Sequence, residues 1–156
     1  MLRFNRLIDS QQPAWATLTL SYDQRVKSRQ RVTLDNDQDA GLFLPRGLVL
    51  QQGDCLQAES GEIVEVLAAV ESVSTLYSDD TLLLARACYH LGNRHVPLQI
   101  APKFIRYQHD HVLDDMVHGL GLEVTFEQAP FEPESGAYGS QQAHAHAHGK
   151  GHGHSH

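Results

Sequence analysis

Period-two alternation dominates the first half of the chain. In "ATLTLSY", Leu18 and Leu20 are separated by Thr19, the spacing of a half-buried strand. "RQRVTLD" repeats the pattern around Val32 and Leu34, and "EIVEVLAAV" reads as a further strand. "GLFLPRGLVLQQGDCLQA" gives short apolar runs broken at Pro45-Arg46-Gly47 and at Gly53-Asp54. Many short strands punctuated by Gly, Pro and Asp predict a small β-sandwich or barrel over residues 1–72. The polar residues of this half are scattered and form no catalytic pattern.

The period then changes. "SDDTLLLARACYHLGN" places Leu84, Cys88 and Leu91 on one helical stripe. Ser78 or Asp79 can cap this helix, with Asp79 and Asp80 complementing the dipole in its first turn. Gly92-Asn93 supply a stop, and both residues tolerate the positive φ of a sharp turn. "VPLQI" and "FIRYQ" read as strands joined by a turn at Pro102-Lys103. In "HDHVLDDMVHGLG", Val112, Leu113, Met116, Val117 and Leu120 form the apolar face of a second helix, ended by Gly119 or Gly121. "LEVTFEQA" is a last strand. With "VSTLYS" as the first strand, the order is β-α-β-β-α-β, the split βαβ arrangement of ferredoxin-like folds. The expected fold class is therefore α+β, with a β-rich domain over 1–72 and a ferredoxin-like domain over 73–139. Apolar periodicity is lost after Pro133, and 140–156 is expected to be a disordered, His-rich tail.

Charge narrows the partners. The formal net charge is −7 with histidines neutral, which disfavours nucleic acid and suits small cations. No apolar run approaches the roughly 18 residues of a membrane span, and "MLRFNRLIDS" lacks the apolar centre of a signal peptide. The expectation is a soluble cytoplasmic protein with no membrane partner. Cys55 and Cys88 form no C-x-x-C pair and read as reduced, buried residues.

Histidine carries the candidate chemistry. Six of the eleven histidines, His144, His146, His148, His152, His154 and His156, alternate with small residues and Lys150 at the end of the chain. Neutral imidazole is a nitrogen ligand for nickel, copper and zinc, and small neighbours let several rings turn toward one ion. An expression tag is usually a block of consecutive histidines, whereas these are interleaved. In the body, His109 and His111 flank Asp110 where a strand gives way to a helix. No packing role is evident for this pair, and a metal site is favoured. His111, Asp115 and His118 stand at i, i+4 and i+7 on one helical stripe, where a solvated face is the competing explanation. His95 is held just past the first helix, and by residue type alone a lone histidine there reads as structural. His90 is either core or surface.

The stretches "HLGNRHVPLQI", "YQHDHVLDDM" and "PFEPESGAYG", followed by the His-rich tail, resemble the UreE family of urease accessory proteins, the nickel metallochaperones of urease maturation. The resemblance is sharpest over residues 73–139. It implies a first half like the peptide-binding fold of a heat-shock co-chaperone and a second half that binds metal. It further implies a cytoplasmic homodimer with Ni²⁺ at its interface, Zn²⁺ or Cu²⁺ also being able to bind. The histidine of the family's "GNRH" stretch matches His95, and its paired histidines match His109 and His111. Two copies of His95 would then share one ion across a two-fold axis. The implied partners are apo-urease and the other urease accessory proteins, including the GTPase. On this reading the chain is not an enzyme. A passive nickel or zinc buffer is the alternative. A metal-dependent hydrolase built on His109, His111 and Asp114 or Asp115 is a weaker one, because no separate general base stands out.

Overall fold

The computed structural model describes residues 1–9 and 12–136, and the chain divides into two compact units after Leu67. The first unit holds β1 (Leu2–Ile8), β2 (Ala16–Leu20), a short α1 (Tyr22–Arg25), β3 (Arg29–Thr33), β4 (Asp39–Phe43), β5 (Cys55–Ala58) and β6 (Ile63–Ala68). They form one six-stranded sheet in the order β2-β6-β5-β1-β4-β3. The β1–β4 pair is parallel, and β1–β5, β3–β4 and β5–β6 are antiparallel.

This is one sheet rather than the two packed sheets of a sandwich. It curls until its ends meet. Asp35, just past β3, donates its amide to the Thr17 carbonyl at 3.0 Å, and its carboxylate accepts from the Thr17 and Thr19 hydroxyls of β2 at 2.6 and 2.7 Å. Phe4, Leu18, Leu20, Leu42, Leu56, Val64 and Val66 fill the inside. Arg25 is buried with them, its Nε and Nη1 donating to the carbonyls of Leu50 and Leu20. Buried guanidinium donors need such acceptors, because an unpaired buried charge is costly.

The second unit, Ala68–Glu134, holds β7 (Val70–Tyr77), α2 (Thr81–Asn93), β8 (Gln99–Ala101), β9 (Phe104–Gln108), α3 (His111–Gly119) and β10 (Thr125–Pro130). The order is β-α-β-β-α-β, and the sheet order is β10-β7-β9-β8 with antiparallel neighbours throughout. Leu76, Ile105 and Tyr107 of the sheet pack against Leu84, Ala87 and Leu91 of α2 and Leu113 and Val117 of α3.

Several local expectations change. Asp80, not Ser78 or Asp79, caps α2, accepting from the Leu83 amide at 3.1 Å, so no acidic residue lies in that helix's first turn. Only Gln99–Ala101 of the region around "VPLQI" is regular strand. Asn93 is still helical, Arg94 is the C-cap, and the positive φ expected of Gly92 or Asn93 is found at His95. Cys55 and Cys88 are free thiols but only partly buried, and desolvation pushes both up, away from the thiolate form that binds metal.

Candidate metal centre

His95 is placed by the end of α2. Its amide donates to the Gly92 carbonyl at 2.9 Å, and the Val96 amide reaches the Leu91 carbonyl at 3.4 Å. Those two bonds, with φ +60° at His95, make a Schellman cap, the left-handed turn that closes a helix. Val96 and Leu91 supply the apolar contact that accompanies it. Glycine is the usual occupant of that left-handed position. Histidine tolerates it better than a branched residue, yet still bears a backbone cost of about 1 kcal/mol. The side chain is exposed and so gains no burial in return.

His109 ends the strand side of the same region. Its side chain is 39 % exposed. Nδ1 lies 3.1 Å from the Ser74 hydroxyl of β7 and 3.4 Å from Oδ2 of Asp114 on α3. The ring stands edge-on to Phe126 of β10 with centroids 4.7 Å apart. The Tyr107 hydroxyl donates to Oδ1 of Asp114 at 2.6 Å. Burial, then the Asp114 carboxylate, pushes the Tyr107 phenol up, so it remains a donor.

Asp110 has another task. Its carboxylate caps α3, accepting from the Val112 and Leu113 amides at 2.9 and 3.3 Å. The His109-Asp110-His111 stretch is therefore a helix start in which the central carboxylate is turned to the backbone.

His95, Val96, Pro97, Gln108, His109 and Asp110 line one open cleft of about 380 Å³, together with Leu113. His111, the first residue of α3, is exposed and does not line it. Asp115 and His118 are also exposed, and among the described residues no three His, Cys, Asp or Glu side chains converge as a metal site. His90 is half-buried, its ring edge-on to Tyr89. His144, His146, His148, His152, His154 and His156 lie outside the described residues. The described residues of one chain thus bring two imidazole side chains to a common cleft, fewer donors than a closed site requires. That donor set fits a borderline divalent ion held exchangeably.

Ser74 and Tyr107 were not singled out by sequence. Both had a signal. Ser74 is a fully buried hydroxyl two residues from Leu76 on the core-facing side of β7, and Tyr107 is a fully buried phenol on β9. Buried hydroxyls call for partners.

The family model described as UreE urease accessory protein, N-terminal domain, matches residues 5–69, and the corresponding C-terminal domain matches residues 71–156. The chain belongs to the UreE family. A urease accessory protein UreE of Alkalilimnicola ehrlichii is 61 % identical over 139 residues, covering 89 % of this chain and 85 % of that one. The UreE of Vibrio parahaemolyticus is 57 % identical over 146 residues, covering 89 % and 92 %. That of Proteus mirabilis is 54 % identical over 147 residues, covering 89 % and 91 %. UreE proteins are accessory proteins rather than enzymes, and no helix among the described residues is long and apolar enough to cross a membrane.

Proposed function

We propose that this UreE-family chain takes part in urease maturation by carrying Ni²⁺ to apo-urease. The observation that carries the reading is that His95 and His109 line one cleft. Family membership supplies the urease context, since the relatives are named as urease accessory proteins. Nickel is cargo here. Imidazole coordination releases an ion more readily than a closed cage of thiolates would.

The reading includes a cytoplasmic homodimer. With too few donors in one chain's cleft, a second copy facing it would supply another His95, and a symmetric pair would share one ion. His109 and His111 serve as auxiliary ligands, and the six tail histidines as a second tier that gathers nickel and can also take Zn²⁺ or Cu²⁺. Apo-urease, the remaining accessory proteins and their GTPase are the partners. The sheet order β10-β7-β9-β8 supports reading the second unit as a ferredoxin-like metal-binding domain.

Urease activation in a reconstituted system at limiting nickel tests this. His95→Gly should remain folded and still take up tail-bound nickel, yet activate poorly. Wild-type activation by that variant, with failure of a His109/His111 double substitution, would move the centre to α3. Undiminished activation by both would favour a passive buffer.

A further inference from the structure

Three elements converge behind the His109 ring. Ser74 comes from β7, Tyr107 from β9 and Asp114 from the first turn of α3. The Asp114 side chain is 14 % exposed, and each of its oxygens faces a different group. Oδ1 accepts from the Tyr107 hydroxyl at 2.6 Å, and Oδ2 faces His109 Nδ1 at 3.4 Å. Ser74 Oγ stands 3.1 Å from the same ring nitrogen. Both polar neighbours of the ring thus lie on the Nδ1 side. Nε2 is on the opposite side of the imidazole, away from both, and His109 is one of the residues that line the cleft.

A neutral imidazole carries its single proton on one nitrogen, and the partner of each nitrogen decides which. An ionised carboxylate can only accept. A proton on Nδ1 lies in the field of Asp114 and can be donated to Ser74 Oγ. A bare lone pair on Nδ1 would instead face that carboxylate. We infer that Asp114 is a positioning residue that fixes His109 in the Nδ1–H tautomer, leaving Nε2 as the bare nitrogen presented to a metal ion in the cleft. The inference rests on the metal reading of His109 only for its last clause. The Tyr107 hydroxyl anchors the carboxylate, so its second oxygen stays aimed at the ring. A carboxylate behind a ligating histidine orients the ring and raises its basicity.

The same geometry specifies what an isosteric change would do. In Asp114→Asn, the amide carbonyl would keep the Tyr107 hydrogen bond. The amide nitrogen would then face Nδ1 and need an acceptor. Ser74 can reverse its hydroxyl to suit. The ring proton would move to Nε2, and metal binding would first have to displace it.

The test uses the full-length protein with isotopically labelled histidine at about pH 8, where free imidazole is neutral. Long-range nitrogen–proton correlations read the tautomer of His109, assigned by comparison with His109→Gln. Zinc chloride serves as a diamagnetic probe of the same ring. The wild type should show Nδ1–H without metal and a zinc response at Nε2. Asp114→Asn should show Nε2–H and need roughly 10–100-fold more zinc at His109. Ser74→Ala should keep the wild-type tautomer, because the carboxylate remains. Nε2–H in the wild type would overturn the proposal, and that measurement needs no substitution to fold. An unchanged tautomer in folded Asp114→Asn, or a switch caused by Ser74→Ala instead, would also overturn it. If the tautomers behave as stated but zinc never reaches His109, the positioning device stands and the ligand role of His109 falls.

Discussion

His95 occupies a helix-ending position with φ +60° that a glycine would hold without steric cost. Its two closing hydrogen bonds are made by the backbone, so they survive any change of side chain. This predicts an unusual order of stabilities. His95→Gly should match or exceed the wild type, by up to about 1 kcal/mol, because relief of left-handed strain outweighs the added freedom of the unfolded chain. His95→Ala keeps the strain and should be the less stable variant. Thermal denaturation of the three proteins decides it, and a glycine variant melting below the alanine variant would refute the strain argument. The sequence offered no warning of this conformation. Gly92 and Asn93 stand within three residues of it and are the types expected at positive φ, yet both are absorbed into α2. The role of Asp114 was equally hidden. Its partners Tyr107 and His109 are 7 and 5 positions away along the chain, while Ser74, on the same ring nitrogen, is 40 positions away and is brought there by the strand register that pairs it with Tyr107. The candidates His95 and His109, by contrast, were legible from residue type and the resemblance together, and the fold places them on one cleft.

At the level of elements, β1 is the strand that periodicity missed. It runs through the interior of the first sheet between β5 and β4, yet only Phe4 of its seven residues is fully buried. A register shift against β5 between Phe4 and Arg6 breaks the alternation that would have revealed it. α1, four residues long, is too short to show a helical period. The longer helices and the strands β2, β3 and β6 were legible because each buries one consistent face, whereas β9 buries Ile105, Arg106 and Tyr107 in succession. Phe4→Ala should therefore cost about 3–5 kcal/mol, a core-sized loss from a segment that looks like a polar terminus. A urea midpoint shift equivalent to less than 1 kcal/mol (roughly the scale of a surface change) would show that β1 is dispensable. The second sheet carries a polar cluster on strands β7, β9 and β10. Arg106, buried, donates from Nε to Thr75 at 2.9 Å and reaches Glu127 with Nη2 at 3.3 Å, while the Tyr77 hydroxyl donates to Glu127 at 2.7 Å. The Thr75 hydroxyl, then that of Tyr77 and the Arg106 charge, hold the Glu127 carboxyl below its usual range. A carboxyl depressed on folding adds stability above its unfolded pKa, roughly 4.3, and loses it as pH falls through the folded value. Glu127→Gln should thus be less stable than wild type near neutrality, and the gap should narrow as pH drops below about 4. Urea titrations across that range measure it, and a gap that stays constant would mean the carboxylate's charge is not what matters.

For the whole molecule, the proposed metal-binding groups divide between the described domain and the terminal segment. His95 and His109 are fixed by a helix cap and a strand end, whereas the six terminal histidines follow the last described element. Deleting residues 143–156 should reduce the number of nickel ions bound while leaving the His95-dependent ion in place. Calorimetric nickel titration of full-length and shortened protein reads both quantities, and disappearance of the tightest site on deletion would overturn the division. Paired with His95→Gly, the deletion should leave only the weak uptake of His109 and His111, since the two changes strip different ligands. The helix cap that holds His95 has one more consequence. A library of variants sorted by soluble yield or melting temperature would keep glycine at this position, and could even reward it, while the proposed cargo site was being erased. Natural selection on folding alone would drift the same way, so on the proposed function the imidazole would persist there only under continued demand for what it binds.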